Sequence, residues 1–258
     1  MRFMKLAAAA ALVVAAVGGA QANDWSKVRI GTEGAYPPFN TLTADGQLVG
    51  FDIDIANALC AEMKVECEFI TQDWDGMIPA LQAGKFDAVI ASMSITEERL
   101  QKVDFTNKYY NTPPAIAVPK DSALTGTTDA ELDGVLLGAQ SSTTHSNYAE
   151  EKLSSADLKL YPTPDEYKLD LVSGRLDAVI DDVVVLSEWL ATEDGACCKI
   201  LGTLTPDPVI NGAGAGIAIR KGEDELKEMF NAAIKAIREN GTYQEIQAKY
   251  FDFDVYGG

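Results

Sequence analysis

Apolar positions along the chain fall into short strings separated by helical patterns, and two of these units occur twice. Gly84-Lys85-Phe86-Asp87-Ala88-Val89-Ile90 closes a helical stretch over 77–84, and Gly174-Arg175-Leu176-Asp177-Ala178-Val179-Ile180 follows another such stretch ninety residues later. Val28-Arg29-Ile30-Gly31, running into Thr32-Glu33, is matched by Val135-Leu136-Leu137-Gly138, running into Ala139-Gln140. The strings are short and nearly unbroken, as expected of strands buried on both faces. Two pairs in the same order predict two similar α/β lobes.

The remaining pattern fills in the framework. A strand over 28–32 is followed by Glu33-Gly34-Ala35-Tyr36-Pro37-Pro38-Phe39, where two prolines forbid regular structure. Phe51, Ile55 and Leu59 lie at helical spacing across a helix over 53–59, and 67–70 is a short strand. The proline-broken stretch 110–118 suits a first crossing between lobes, and 204–216, rich in proline and glycine, suits a return. Leu226, Phe230, Ile234 and Ile237 line one face of an amphipathic helix over 224–240, stopped by Asn240-Gly241, and a last helix covers 242–250. The expected division is 23–111 and 213–258 for the first lobe and 112–212 for the second.

Candidate chemistry collects where these strands end. Ala91-Ser92-Met93-Ser94-Ile95-Thr96-Glu97-Glu98-Arg99 carries an N-cap, acidic residues for a first helical turn and an arginine. In open α/β sheets ligands bind at the carboxyl ends of strands, because helix N-termini and loop N–H groups converge there. Arg99 offers a fork that fits a carboxylate, with Ser92 and Ser94 to complete its shell. If the lobes are related, Glu33 to Tyr36, Ala91 to Arg99, Gln140 to His145 and Asp181-Asp182 face one cleft. Thr143 and Thr144 open another helix with free N–H groups, and Asp182 wants a cation unless it serves as the N-cap before Val183. An anion site opposite a cation site describes the α-carboxylate and α-ammonium of an amino acid.

Arg2 and Lys5, then an apolar run from Leu6 to Val17 and Ala20-Gln21-Ala22, have the layout of a secretory signal peptide over 1–22, cleaved after Ala22. No later stretch is long and apolar enough to span a bilayer, and no cysteine near the cleavage site can take a lipid, so a soluble periplasmic protein is expected. The whole chain carries a formal charge of −18; without Arg2 and Lys5 the balance is 19 basic against 39 acidic side chains, or −20, which argues against nucleic acid as a partner. Cys60 and Cys67 flank a helix-to-strand turn that can bring them within disulfide range. Cys197-Cys198 allows either a strained, labile pairing or two free thiols. With His145 the only histidine, a metal site lacks ligands, and no cofactor is expected.

With these residues placed, the chain resembles the periplasmic solute-binding proteins of the polar amino-acid ABC importers, whose members bind lysine/arginine/ornithine, histidine or octopine/nopaline. The likeness spans nearly all of the mature chain. It rests on Ile30-Gly31-Thr32-Glu33 through Tyr36-Pro37-Pro38-Phe39, Val49-Gly50-Phe51-Asp52-Ile53-Asp54, Ser92-Met93-Ser94-Ile95-Thr96 with Arg99, Thr143-Thr144, and the terminal Lys249-Tyr250-Phe251-Asp252-Phe253-Asp254-Val255-Tyr256-Gly257-Gly258.

The resemblance implies a two-lobed α/β fold of the type II kind: mixed sheets flanked by helices, joined by two crossing hinge strands and closing on one amino acid. Carried over residue by residue, Arg99, Ser94 and Thr144 hold the α-carboxylate and Asp182 with Ser92 the α-ammonium. Tyr36 and Trp74 pack on the side chain, Glu33 and Asp52 lie near its cationic end, and Met93, Gln140 and Thr143 complete the ligand set. The matched half-cystine positions imply a Cys60–Cys67 bridge. The expected protein is a monomeric, non-enzymatic receptor that hands a basic amino acid, arginine first, to a membrane permease. An opine receptor and an exported dehydratase on the same fold are the alternatives. Ala91, Ser142 and Glu33 stand where close relatives carry serine, glycine and, in several, aspartate, and those relatives lack Cys197-Cys198.

Overall fold

The structure, a computed structural model, describes residues 24–257; the expected leader over 1–22 and Gly258 of the terminal motif lie outside them. In chain order the elements are β1 (Lys27–Thr32), β2 (Ala35–Tyr36), β3 (Asn40–Leu42), β4 (Leu48–Val49), α1 (Phe51–Met63), β5 (Glu66–Thr71), α2 (Met77–Gln82), β6 (Ala88–Val89), α3 (Glu97–Leu100) and β7 (Asp104–Tyr110). They continue with β8 (Pro114–Pro119), β9 (Leu136–Gln140), α4 (Thr144–Lys152), β10 (Asp157–Tyr161), α5 (Pro164–Val172), β11 (Ala178–Asp182), α6 (Val183–Leu190) and β12 (Cys198–Thr203). Last come β13 (Ala215–Ile219), α7 (Asp224–Glu239) and α8 (Thr242–Gln247). No helix among the described residues is long and apolar enough to cross a membrane.

Two five-stranded mixed sheets share one layout: β5-β1-β6-β13-β7 in the first lobe and β10-β9-β11-β8-β12 in the second. In each, the first three strands run parallel and the last two antiparallel to their neighbours. The sequence echo has an atomic cause. Gly31 pairs with Val89 and Gly138 with Val179, so the repeated units sit side by side in matching register. A Cβ on Gly31 would come within 2.7 Å of the Phe86 ring, and one on Gly138 within 2.4 Å of Leu176 Cδ1. Each glycine therefore makes room for the large residue two positions before the Ala-Val-Ile string of its neighbour. The aspartate before that string is also equivalent: Asp87 accepts from Arg29 N at 3.0 Å and Asp177 from Leu136 N at 2.9 Å.

Both faces of each sheet are covered. On the first, Ala88 and Ile90 face a cluster with Phe51, Ile55, Leu59, Phe230 and Ile234, while Val89 and Ala91 face Met77, Leu81 and Phe86. On the second, Ile180 packs with Leu137 and Ile116 on one side and Val179 with Tyr167 and Trp189 on the other. The chain passes from the first sheet to the second between β7 and β8 and returns between β12 and β13, and the C-terminal tail closes over the first passage where Asn111 N donates to Val255 O at 2.9 Å. A disulfide joins Cys60 in α1 to Cys67 in β5.

Several boundaries differ from the pattern-based expectation. Within 33–39, Ala35–Tyr36 does form a strand, paired with β3 in a small three-stranded sheet, with Phe39 N donating to Tyr36 O at 2.9 Å across the turn. The last helix stops at Gln247 rather than 250, since Phe251 folds back onto Phe39 and Phe51, and Lys249 and Tyr250 both bond to Asp54. Strand β6 is only two residues long; Ser92 adopts φ 56° three residues past its end, and Ser94 then bridges to Ala215 of β13.

The close approach at Gly31 makes a stability prediction. Gly31→Ala should destabilise by ~1–3 kcal/mol through overpacking against the rigid Phe86 ring, and should cost less in a Phe86→Ala background, where the ring is gone. Urea denaturation of the two single variants and the double variant checks it; additive effects would show that the two side chains do not compete for one space.

Candidate functional site

The strand ends of the two lobes meet around a cavity lined by Glu33, Tyr36, Trp74, Ala91, Ser92, Ser94, Arg99, Gln140, Thr143, Thr144 and His145. An adjoining cavity shares Tyr36, Ser92, Ser94, Thr144 and His145 and adds Tyr110, Thr112 and Asp182. The walls are tied across the cleft. Gln140 Nε2 donates to Glu33 Oε1 at 2.6 Å, Ser141 Oγ to Asp75 at 2.9 Å, Tyr36 OH to Asp181 at 2.5 Å, and Trp74 Nε1 to the Ser142 carbonyl at 3.0 Å. The lobes are therefore closed on each other.

Arg99 is placed by its own helix. Thr96 caps α3 and accepts from Arg99 N, while the guanidinium donates to Ser94 O at 3.0 Å and Ser142 O at 3.2 Å and lies 5.3 Å from the Trp74 ring centre. No ion pair with a carboxylate forms among the described residues, and burial holds the guanidinium down at about 10. A buried cation held only by carbonyls and an aromatic face favours an anion in the adjacent space.

The carboxylates show the opposite deficit. Glu33 is pushed up to about 7, first by burial and further by Asp181, Asp73 and Asp75, with the Gln140 bond opposing. Asp182 is pushed up to about 7 by burial and by Asp181, although Thr112 and the Val184 amide bond to it. It serves as the N-cap of α6 and lines the adjoining cavity, so the two readings of this residue coexist in one geometry. Neither Glu33 nor Asp182 has a cationic partner among the described residues.

The structure separates two expected residues from this group. Asp52 lines neither central cavity: it is fully buried behind Ser92, accepting from Asn40 Nδ2 at 2.8 Å, Ser92 Oγ at 2.9 Å and Tyr109 OH at 2.8 Å, and burial pushes it up to about 6. Its effect on a ligand passes through the position of Ser92. Met93 turns into the core with Met77, Leu81 and Phe86 because side chains alternate along the chain here, and it reaches only a third cavity behind Arg99.

His145 lines both central cavities, with Nδ1 3.2 Å from Asp181. Burial and Arg99 hold it below the ordinary histidine range, with Asp181 opposing. Asp181, expected to face the cleft beside Asp182, has a role that the sequence pattern does not assign. It accepts from Tyr36, Tyr167 and the Asp182 amide and so anchors the aromatic wall from behind. Among the described residues no group of three His, Cys, Asp or Glu side chains forms a metal site.

The chain has known counterparts along nearly its full length. Residues 28–253 match the model of the bacterial extracellular solute-binding proteins, family 3. The L-arginine-binding protein of Pseudomonas aeruginosa is 51% identical over 233 residues, covering 89% of this chain and 90% of the relative. An ancestral arginine-binding protein bound to arginine superposes with a TM-score of 0.81 at 38% identity, covering 88% of this chain and 98% of that one. An ancestral amino acid-binding protein, a precursor of cyclohexadienyl dehydratase, superposes at 0.79 with 35% identity, covering 88% and 96%. With two equivalent sheets closing on a charged cleft and a match running from β1 to the C-terminal tail, the chain belongs to the bacterial extracellular solute-binding proteins of family 3.

Proposed function

We propose that the protein captures a basic amino acid, arginine foremost, between its closed lobes and delivers it to the membrane permease of an ABC importer. The observation that carries this reading is the pattern of uncompensated charge lining the two central cavities: one cation, Arg99, and two carboxylates, Glu33 and Asp182. An amino acid with a cationic side chain supplies the complement, one carboxylate and two cations. In this assignment Arg99, Ser94 and Thr144 hold the α-carboxylate and Asp182 with Ser92 the α-ammonium. The side chain runs past Tyr36 and Trp74 to Glu33, with Gln140 and Thr143 in the wall. Aromatic faces favour a planar guanidinium through stacking and cation–π attraction, worth ~0.5–2 kcal/mol per face. The likeness to arginine-binding relatives supports the same ligand.

Three outcomes follow. Arg99→Ala leaves a ligand carboxylate buried and unpaired, which costs ~3–5 kcal/mol and reduces affinity by roughly two to three and a half decades. Titration calorimetry showing less than a tenfold loss would remove Arg99 from the carboxylate clamp.

The second outcome concerns pH. In the ligand-free site Glu33 and Asp182 both stand at about 7, and a cation lowers them, so binding near neutrality releases protons. Affinity for arginine is then full above pH 7 and falls as the pH drops, by up to about tenfold per pH unit for each group. Calorimetry in buffers of different ionisation heat measures the proton release directly; a flat profile with no release contradicts the charge assignment.

Third, Glu33→Gln, nearly isosteric, should lose arginine affinity while narrowing the preference for arginine over glutamine. Arginine affinity unchanged within twofold would show that Glu33 does not read the ligand's charge.

A further inference from the structure

Cys197 and Cys198 stand apart from the ligand site. Cys197 ends a single 3-10 turn, Asp194–Cys197, after α6, and Cys198 opens β12. Their sulfurs lie 2.7 Å apart, closer than an ordinary non-bonded contact, with Cys197 exposed and Cys198 buried. Burial and the neighbouring sulfur push the Cys198 thiol up to about 12, so Cys197 is the sulfur that meets solutes. No third ligand joins them in a metal site among the described residues. Strand β12 pairs with β8, Cys198 opposite Pro119, while Asp182 of the ligand cleft pairs with Pro114 at the other end of β8. Five residues of extended strand place the pair roughly 17 Å from that position.

We propose that Cys197 and Cys198 form a reversible thiol–disulfide couple, a modification site on the second lobe that exchanges with small thiols and disulfides. Thiols of extracellular families meet an oxidising environment. The forward step uses a low-molecular-weight disulfide as oxidant. The Cys197 thiolate attacks one of its sulfurs, giving a mixed disulfide and releasing one thiol. Cys198 then gives up its proton and attacks Cys197 Sγ, closing the ring and releasing the second thiol. Two protein thiols lose two electrons and two protons, and one disulfide becomes two thiols. Adjacent Cα atoms are ~3.8 Å apart, below the ~4.4–6.8 Å that a relaxed disulfide spans, so the ring is strained and opens readily to thiol attack.

Trypsin isolates the pair on one peptide, 176–199, between Arg175 and Lys199, while Cys60 and Cys67 fall on separate peptides divided by Lys64. The full-length chain, exported and purified without reductant, is alkylated in denaturant and mapped by mass spectrometry. The expected 176–199 peptide carries no alkyl group and is lighter than the dithiol by two hydrogens. After brief treatment with reduced glutathione it takes two alkyl groups while the Cys60 and Cys67 peptides remain joined. Recovery of 176–199 doubly alkylated both before and after incubation with oxidised glutathione would overturn the proposal. Cys198→Ser provides a second arm, because it lacks the resolving thiol and should retain a glutathione adduct at Cys197 that the parent chain does not accumulate. Equal adduct on both chains would overturn it as well.

Discussion

Burial of charge without local compensation governs the interior of this protein. Closing the lobes removes water from Arg99, Glu33 and Asp182, yet leaves each without an opposite charge, and each departs from its ordinary titration range for that reason. Elsewhere the chain follows the reverse practice. Asp87, close to the first sheet, is satisfied by Arg29 and Arg220 and held below the usual carboxylate range. Asp170 is likewise held down by Arg175, Tyr161 and Lys159. Where the lobes meet the same residue types are left without an opposite charge, and behind the cleft Asp52 is held only by the neutral donors Asn40, Ser92 and Tyr109. An unpaired buried charge is costly, and its concentration in one cleft marks where a ligand contributes to the stability of the closed form.

Much of this arrangement was legible in the sequence because it rests on local constraints. A strand covered on both faces must be apolar, so β6 and β11 stand out. The glycine of the adjacent strand is required by the large side chain laid over it, so β1 and β9 echo as well. Helix starts at Thr96, Thr143 and Asp182 are equally local, since each side chain bonds an amide two or three residues on. The motifs shared with the amino-acid binding family carried the residue assignments further than periodicity alone.

What escaped depends on partners distant in sequence. Asp52 looks like a cleft residue by motif, but Asn40, Ser92 and Tyr109 enclose it, and that requires three separate segments to converge. Successive strand residues point to opposite sides, so Asp181 and Asp182 have different surroundings that composition does not distinguish. His145, at the start of α4, meets Asp181 of β11 from a segment distant in sequence. The short β2–β3 pairing spans two residues on each side, too few to leave a pattern in the sequence.

The order of strands in the two sheets also has a consequence for how the chain assembles. The second sheet, β10-β9-β11-β8-β12, draws all its strands from one continuous stretch, 114–203. The first sheet takes β13, residues 215–219, between β6 and β7, and its core is finished by α7, α8 and Phe251. The lobe that begins first is therefore completed last. Its central gap can be filled only by a strand that follows the whole of its sister lobe, a pairing of high sequence separation that forms slowly. Synthesis or export from the N-terminus presents an incomplete sheet with two unsatisfied inner edges until the final quarter of the chain arrives, while the second lobe can already fold. The first crossing, too, is tied down from far along the chain, since Asn111 N donates to the Val255 carbonyl.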